Sequence, residues 1–207
     1  MYTHSKQIIT AGTPVGEAEK AIIMLHGRGA SANSIISLAN HFDLANTAIV
    51  APQAAEHSWY PYSLMAPVEN NEPALSSALA LIDNIVKDVT VQGIKKQNIY
   101  FLGFSQGACL TLEYVTRHAT LYGGVIAFTG GLIGQRLVRG NYKGDFDRTP
   151  VLITTGDPDP HVPLSRVEET VAVLEEMNAN VQLNVYKGRP HTITAEELDL
   201  AVLHVLK

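Results

Sequence analysis

A serine flanked by two glycines, Gly103-Phe104-Ser105-Gln106-Gly107, carries the sharpest chemical signal in this chain. Near neutral pH a serine hydroxyl is a poor nucleophile, so it needs a base to take its proton and an acid to orient that base. Candidates for both lie downstream. The run Gly156-Asp157-Pro158-Asp159-Pro160-His161-Val162-Pro163 puts two carboxylates in one turn, and Lys187-Gly188-Arg189-Pro190-His191-Thr192 supplies an imidazole. His26, His57 and His161 compete for the role of base, but only His191 follows the last predicted strand. On the residues alone the acid is Asp157 or Asp159, the other capping or bracing the loop. A fourth segment, Leu25-His26-Gly27-Arg28-Gly29, predicts an oxyanion hole made from the backbone amides of Arg28 and Gln106. Losing one such donor typically costs about 10²- to 10³-fold in rate. His26 is expected to hold that loop through hydrogen bonds, and His161 to sit beside the acid without taking part in proton transfer.

These residues are far apart in sequence, so the elements between them must bring them together. Apolar runs alternate with helical patterns along the whole chain, which predicts an α/β fold with a mostly parallel sheet and helices on both faces. Strands are expected over residues 20–25, 47–51, 98–103, 124–129, 150–155 and 181–186, and helices over 33–42, 74–89, 106–118, 164–177 and 195–206. Residues 6–10 add an antiparallel edge strand. Every candidate site segment then falls at the carboxyl end of a strand, and in a parallel sheet those ends share one edge. At the junction of strand and helix around Ser105 the chain must turn so tightly that a side chain at either glycine would collide with backbone. The stretch 53–73, rich in Pro, Asn and aromatic residues, has no clear period and reads as a long surface loop. Within it Trp59, Tyr60, Tyr62, Leu64 and Met65 are candidates for the wall of a substrate pocket.

Composition narrows the function. At 207 residues the chain fits a single domain spanning 1–207, with no room for a second catalytic domain. Apolar residues make up 46% and charged residues 17%, the balance of a globular protein able to fold unaided. The net charge of -5, with only 15 scattered Lys and Arg, argues against nucleic acid as a partner. No run approaches the roughly 18 apolar residues needed to cross a bilayer. One cysteine, Cys109, excludes an internal disulfide, and the start lacks the apolar core of a signal peptide, so the expected location is the cytoplasm. Cys109 reads as a small buried hydrophobe. The eight histidines show no zinc-like spacing, so no metal and no cofactor is expected.

The ordered set Leu25-His26-Gly27-Arg28-Gly29, Trp59-Tyr60-Pro61, Gly103-Phe104-Ser105-Gln106-Gly107, Gly156 to Pro163 and Pro190-His191-Thr192-Ile193 resembles the phospholipase/carboxylesterase family. These are small α/β hydrolases that include the acyl-protein thioesterases, and the match spans nearly the whole chain. The resemblance implies an α/β-hydrolase fold with no large lid, and it assigns the acid to Asp159. Two positions depart from the family pattern: Arg28 stands where a leucine is expected, and Arg189 precedes Pro190 where a glycine-rich approach is common. Both would bring a cation to the site and make it tolerant of a polar or anionic acyl or alcohol portion. The resulting expectation is a serine esterase with Ser105 as nucleophile, His191 as base and Asp159 as orienting acid, acting on a small-molecule ester as a monomer or homodimer. Its rivals are a thioesterase or lysophospholipase using the same triad, and a catalytically idle binding protein of the same fold.

Overall fold

The computed structural model describes residues 2–206. Seven strands form one sheet: β1 (Ile8–Gly12), β2 (Lys20–Leu25), β3 (Thr47–Pro52), β4 (Ile99–Phe104), β5 (Gly124–Phe128), β6 (Pro150–Asp157) and β7 (Asn180–Lys187), in the order β1-β3-β2-β4-β5-β6-β7. Only β1 runs antiparallel, paired to β3. The helices are α1 (Ala32–Ile36), α2 (Ala74–Val91), α3 (Gln106–Arg117), α4 (Leu164–Glu176) and α5 (Ala195–His204). This is the mostly parallel, doubly covered sheet expected from the alternating pattern, with no separate lid domain among the described residues.

Alternation along each central strand feeds two cores. Ala21, Ile23 and Leu25 of β2 point into the layer shared with α2, α3 and α4, while Ile22 and Met24 point into the layer shared with α1 and α5. All five are fully buried. Near-continuous apolar runs are what a parallel strand covered on both faces requires. Helix α2 is held by burial of Leu75, Ala78, Leu79, Ile82, Ile85, Val86 and Val89, a stripe at helical spacing.

The helix expected over 33–42 is shorter than its apolar pattern. It stops as an α-helix at Ile36 and continues as a 3₁₀ turn, Ser37–His41. The Ser34 hydroxyl donates to the Ser31 carbonyl at 2.7 Å and the Ser37 hydroxyl to the Ser34 carbonyl at 2.7 Å, so side chains compete for the local backbone acceptors. The stretch 53–73 has no strand or α-helix and lies largely at the surface, as expected, but part of it folds inward. Trp59 and Tyr60 are 0% and 1% exposed. The backbone survives burial because side chains satisfy it: Gln106 Oε1 accepts from the Trp59 amide at 2.9 Å, Gln106 Nε2 donates to the Tyr60 carbonyl at 2.7 Å, and Asn71 Oδ1 accepts from the Tyr62 amide at 2.8 Å.

Candidate active site

Strand register brings the site segments side by side. Leu25 lies opposite Gly103, Phe104 opposite Phe128, and Asp157 opposite Lys187, so the chain beyond β2, β4, β6 and β7 emerges along one rim. Between β4 and α3 stands Ser105 alone, at φ 54° and ψ -120°. A non-glycine residue there is strained, costing of order ~1–3 kcal/mol, and persists only because its surroundings dictate it. A Cβ on Gly103 would lie 2.4 Å from the Gly107 carbonyl oxygen, and one on Gly107 would lie 2.1 Å from the Leu25 carbonyl oxygen. Both glycines are therefore required by close backbone approach.

The hydroxyl so presented meets His191, whose Nε2 is 2.8 Å from Ser105 Oγ. The other ring nitrogen, Nδ1, is 2.8 Å from Asp159 Oδ2. Asp159 Oδ1 accepts from the amides of His161 at 2.9 Å and Val162 at 3.0 Å. Burial of the Asp159 carboxyl opposes its ionisation, but the hydrogen bonds from His191 and those two amides outweigh it and hold the group below the usual carboxylate range. An ionised Asp159 accepts the Nδ1 proton, which leaves Nε2 free to accept from Ser105. The imidazole is also gripped by packing, its ring centroid 5.2 Å from Phe104 and 4.8 Å from His161. Asp157 is exposed and has no part in this chain of bonds.

Facing the serine is the turn after β2, closed by the Ala30 amide donating to the Gly27 carbonyl at 3.2 Å. Arg28 occupies its second position. Gln106 is the first residue of α3, so its N–H belongs to the unpartnered donors of a helix start. His26 anchors the turn from below: Nδ1 donates to the Gly27 carbonyl at 2.7 Å, Nε2 accepts from the Ala54 amide at 3.1 Å, and the His26 carbonyl accepts from the Trp59 indole at 2.8 Å. His57 is tied to the Ala30 carbonyl at 2.7 Å and takes no place beside Ser105.

A cavity of about 580 Å³ opens over Ser105 and His191. Of the five pocket residues expected from sequence, Tyr60, Tyr62 and Leu64 line it. Trp59 does not, because its ring is spent on the His26 carbonyl and the core, and Met65 packs against the core behind the wall. Phe104, Pro160 and Val162 line the cavity as well and were missed, since nothing in their spacing separates a wall from a core. The Gln106 side chain, whose backbone alone drew attention, pins the wall to α3. Cys109 also reaches the cavity; burial pushes its thiol up to about 11, so it stays protonated and inert.

The two arginines part company. Arg28 lies on the cavity, its Nη1 and Nη2 donating to the carbonyls of Pro61 at 2.8 Å and Tyr62 at 2.7 Å. Arg189 does not reach it. Its side chain is 5% exposed and pairs with Glu197 at 3.1 Å, with the Thr129 hydroxyl at 2.7 Å and with the Thr192 carbonyl. The expectation that Arg189 brings a cation to the site is thereby overturned: the nearest buried carboxylate captures it. No group of three or more His, Cys, Asp and Glu among the described residues is placed to hold a metal ion.

Residues 6–207 match the family described as Phospholipase/Carboxylesterase. A crystal structure of a phospholipase/carboxylesterase from Dyadobacter fermentans is 63% identical, with a TM-score of 0.99 over 100% of this chain and 99% of that one. The chain is 28% identical over 198 residues to a probable carboxylesterase SOBER1-like of Arabidopsis thaliana, covering 87% of this chain and 76% of the relative. It is 26% identical over 203 residues to acyl-protein thioesterase 1 of Saccharomyces cerevisiae, covering 88% and 89%. The strained serine at a strand-to-helix turn, the rim that gathers four strand ends and the match over nearly every residue lead to one conclusion: this chain belongs to the phospholipase/carboxylesterase family of α/β hydrolases, enzymes acting on esters.

Proposed function

We propose that the protein hydrolyses carboxylic esters of small molecules through an acyl-enzyme on Ser105. The observation that carries this reading is the unbroken relay from Ser105 Oγ to His191 Nε2 at 2.8 Å and from His191 Nδ1 to Asp159 Oδ2 at 2.8 Å, at the floor of a cavity. Ser105 Oγ attacks the ester carbonyl carbon while its proton passes to His191 Nε2. The negative charge that develops on the carbonyl oxygen is met by the amides of Arg28 and Gln106, with the start of α3 adding its dipole. Collapse of the intermediate breaks the bond to the alcohol, which leaves with the proton from His191. A water then gives its proton to His191 and attacks the acyl carbon, releasing the acid and restoring Ser105. Asp159 holds the ring in the required tautomer and stabilises it when charged. A single cysteine supports a cytoplasmic setting.

Steady-state hydrolysis of short-chain aryl esters tests this directly. Ser105→Ala is expected to lower kcat by roughly 10⁴- to 10⁶-fold with an unchanged circular dichroism spectrum. Undiminished turnover in that variant contradicts the mechanism. The same assay on matched oxygen and sulfur esters ranks the two bond types, with the oxygen ester expected to give the higher kcat/KM.

A further inference from the structure

We propose that Arg28 makes this site selective for esters that carry a carboxylate on the acyl or alcohol portion. The inference rests on the hydrolase reading above and names its substrate class. Among the described residues lining the cavity, Arg28 is the sole permanent charge, and no Asp or Glu faces the space. The Asp159 carboxylate is turned away into bonds with His191 and two amides. Yet the molecule as a whole carries a net charge of -5 and repels anions. A lone cation on a cavity wall runs against that field, and it creates a local preference of opposite sign.

The guanidinium is also fixed in place. Its two terminal nitrogens are held by the Pro61 and Tyr62 carbonyls, and its carbon lies 6.0 Å from the centre of the Tyr60 ring. Neutral carbonyls orient the group without cancelling its charge, as a carboxylate partner would; among the described residues it forms no ion pair. The planar fork keeps further N–H donors for a ligand and matches a carboxylate in geometry. Pre-organisation matters because Arg28 is exposed to solvent, where an untethered side chain would lose most of its attraction to entropy and screening.

The test compares ester pairs that differ only in a carboxylate against its neutral amide, one pair modified on the acyl side and one on the alcohol side, using the full chain and Arg28→Gln. In the wild type the anionic member of at least one pair is expected to have the higher kcat/KM. Arg28→Gln should lower kcat/KM several-fold on neutral esters, through loss of the strut to Pro61 and Tyr62. On the anionic member it should cost on the order of a further 10- to 100-fold, the worth of a charge-assisted hydrogen bond. Equal losses on both members, or no wild-type preference in either pair, overturn the proposal. Should Arg28→Gln fail to fold, ionic strength applied to the wild type decides instead: added salt must raise KM for the anionic ester and leave the neutral one unchanged. Fluorophosphonate labelling of Ser105 in the same samples keeps the two readings apart, since labelling without anion preference sinks only the role of Arg28.

Discussion

A single methyl group at position 107 tests the turn that presents the nucleophile. Gly107→Ala places a Cβ 2.1 Å from the Leu25 carbonyl oxygen, which neither helix nor strand yields without moving Ser105. The variant is expected to lose soluble expression or, if recovered, at least about 100-fold in kcat/KM, the scale on which a misplaced reacting group is punished. Asp159→Asn asks a different question of the relay. The amide can still bond to Nδ1, but it favours the wrong tautomer and offers no charge to the imidazolium; kcat should fall on the order of 10⁴-fold while thermal stability changes little. At this scale the sequence was highly legible. Serine between two close-packed glycines, and a histidine after the last strand, are constraints on neighbouring atoms and so leave a local trace. The choice between Asp157 and Asp159 was not local, because both sit in one segment; the family resemblance pointed to Asp159, and in the fold that side chain turns inward to meet His191.

At the scale of elements, the segment that carries His191 is fastened by a buried ion pair. Arg189 reaches Glu197 in the first turn of α5, and Glu197 also accepts from the Thr194 amide at 2.9 Å, from the Thr194 hydroxyl at 2.9 Å and from the Thr154 hydroxyl on β6. One carboxylate thus caps a helix, binds a strand and neutralises an arginine. Glu197→Ala strands the Arg189 charge on a side chain that is 5% exposed, and should cost roughly 3–5 kcal/mol in chemical denaturation. Arg189→Met with Glu197→Gln removes both charges together and is expected to recover much of that loss. The sequence placed the start of α5 at residue 195, as observed, but sent Arg189 to the pocket. A charge beside a candidate catalytic residue reads as functional until its partner is seen, and a partner eight residues on, across a turn, has no periodic signature. The 3₁₀ turn over Ser37–His41 and the folded-down part of 53–73 were hidden for a related reason: the first rests on hydrogen bonds from the Ser34 and Ser37 hydroxyls and the second on side-chain bonds from Gln106 and Asn71, which no hydropathy pattern records.

Across the whole molecule, two histidines tie the amino-terminal segment and the end of β2 to the pocket wall. His4 Nδ1 accepts from the Ala55 amide at 3.0 Å while Nε2 donates to the Trp59 carbonyl at 2.9 Å, and His26 Nε2 accepts from the neighbouring Ala54 amide. Burial lowers both histidines below their ordinary value of 6.5, and the accepted amides leave no room for a second proton. A histidine lowered in the folded state binds protons first when unfolded, so its contribution to stability is complete above about 6.5 and is lost as pH falls through the folded value. Melting temperature should therefore drop as pH goes from about 7 to about 5, and His4→Gln should flatten part of that slope; an unchanged slope would remove His4 from the account. The global architecture was read from alternating periods with few errors, because buried parallel strands and amphipathic helices announce themselves in apolar spacing. Of the two imidazole ties, that of His26 to its own loop was expected from the sequence, whereas that of His4 was not, since an accepted hydrogen bond leaves no mark on composition.

The central claim, that a covalent acyl group passes through Ser105, is tested most directly by rapid acid quench of wild-type protein mixed with excess activated ester, followed by intact-mass and peptide mass spectrometry. The account predicts one acyl group per chain, located on the peptide containing Ser105 and absent in Ser105→Ala. An acyl group found on another residue, or steady hydrolysis that continues in Ser105→Ala with no adduct at any quench time, would contradict it.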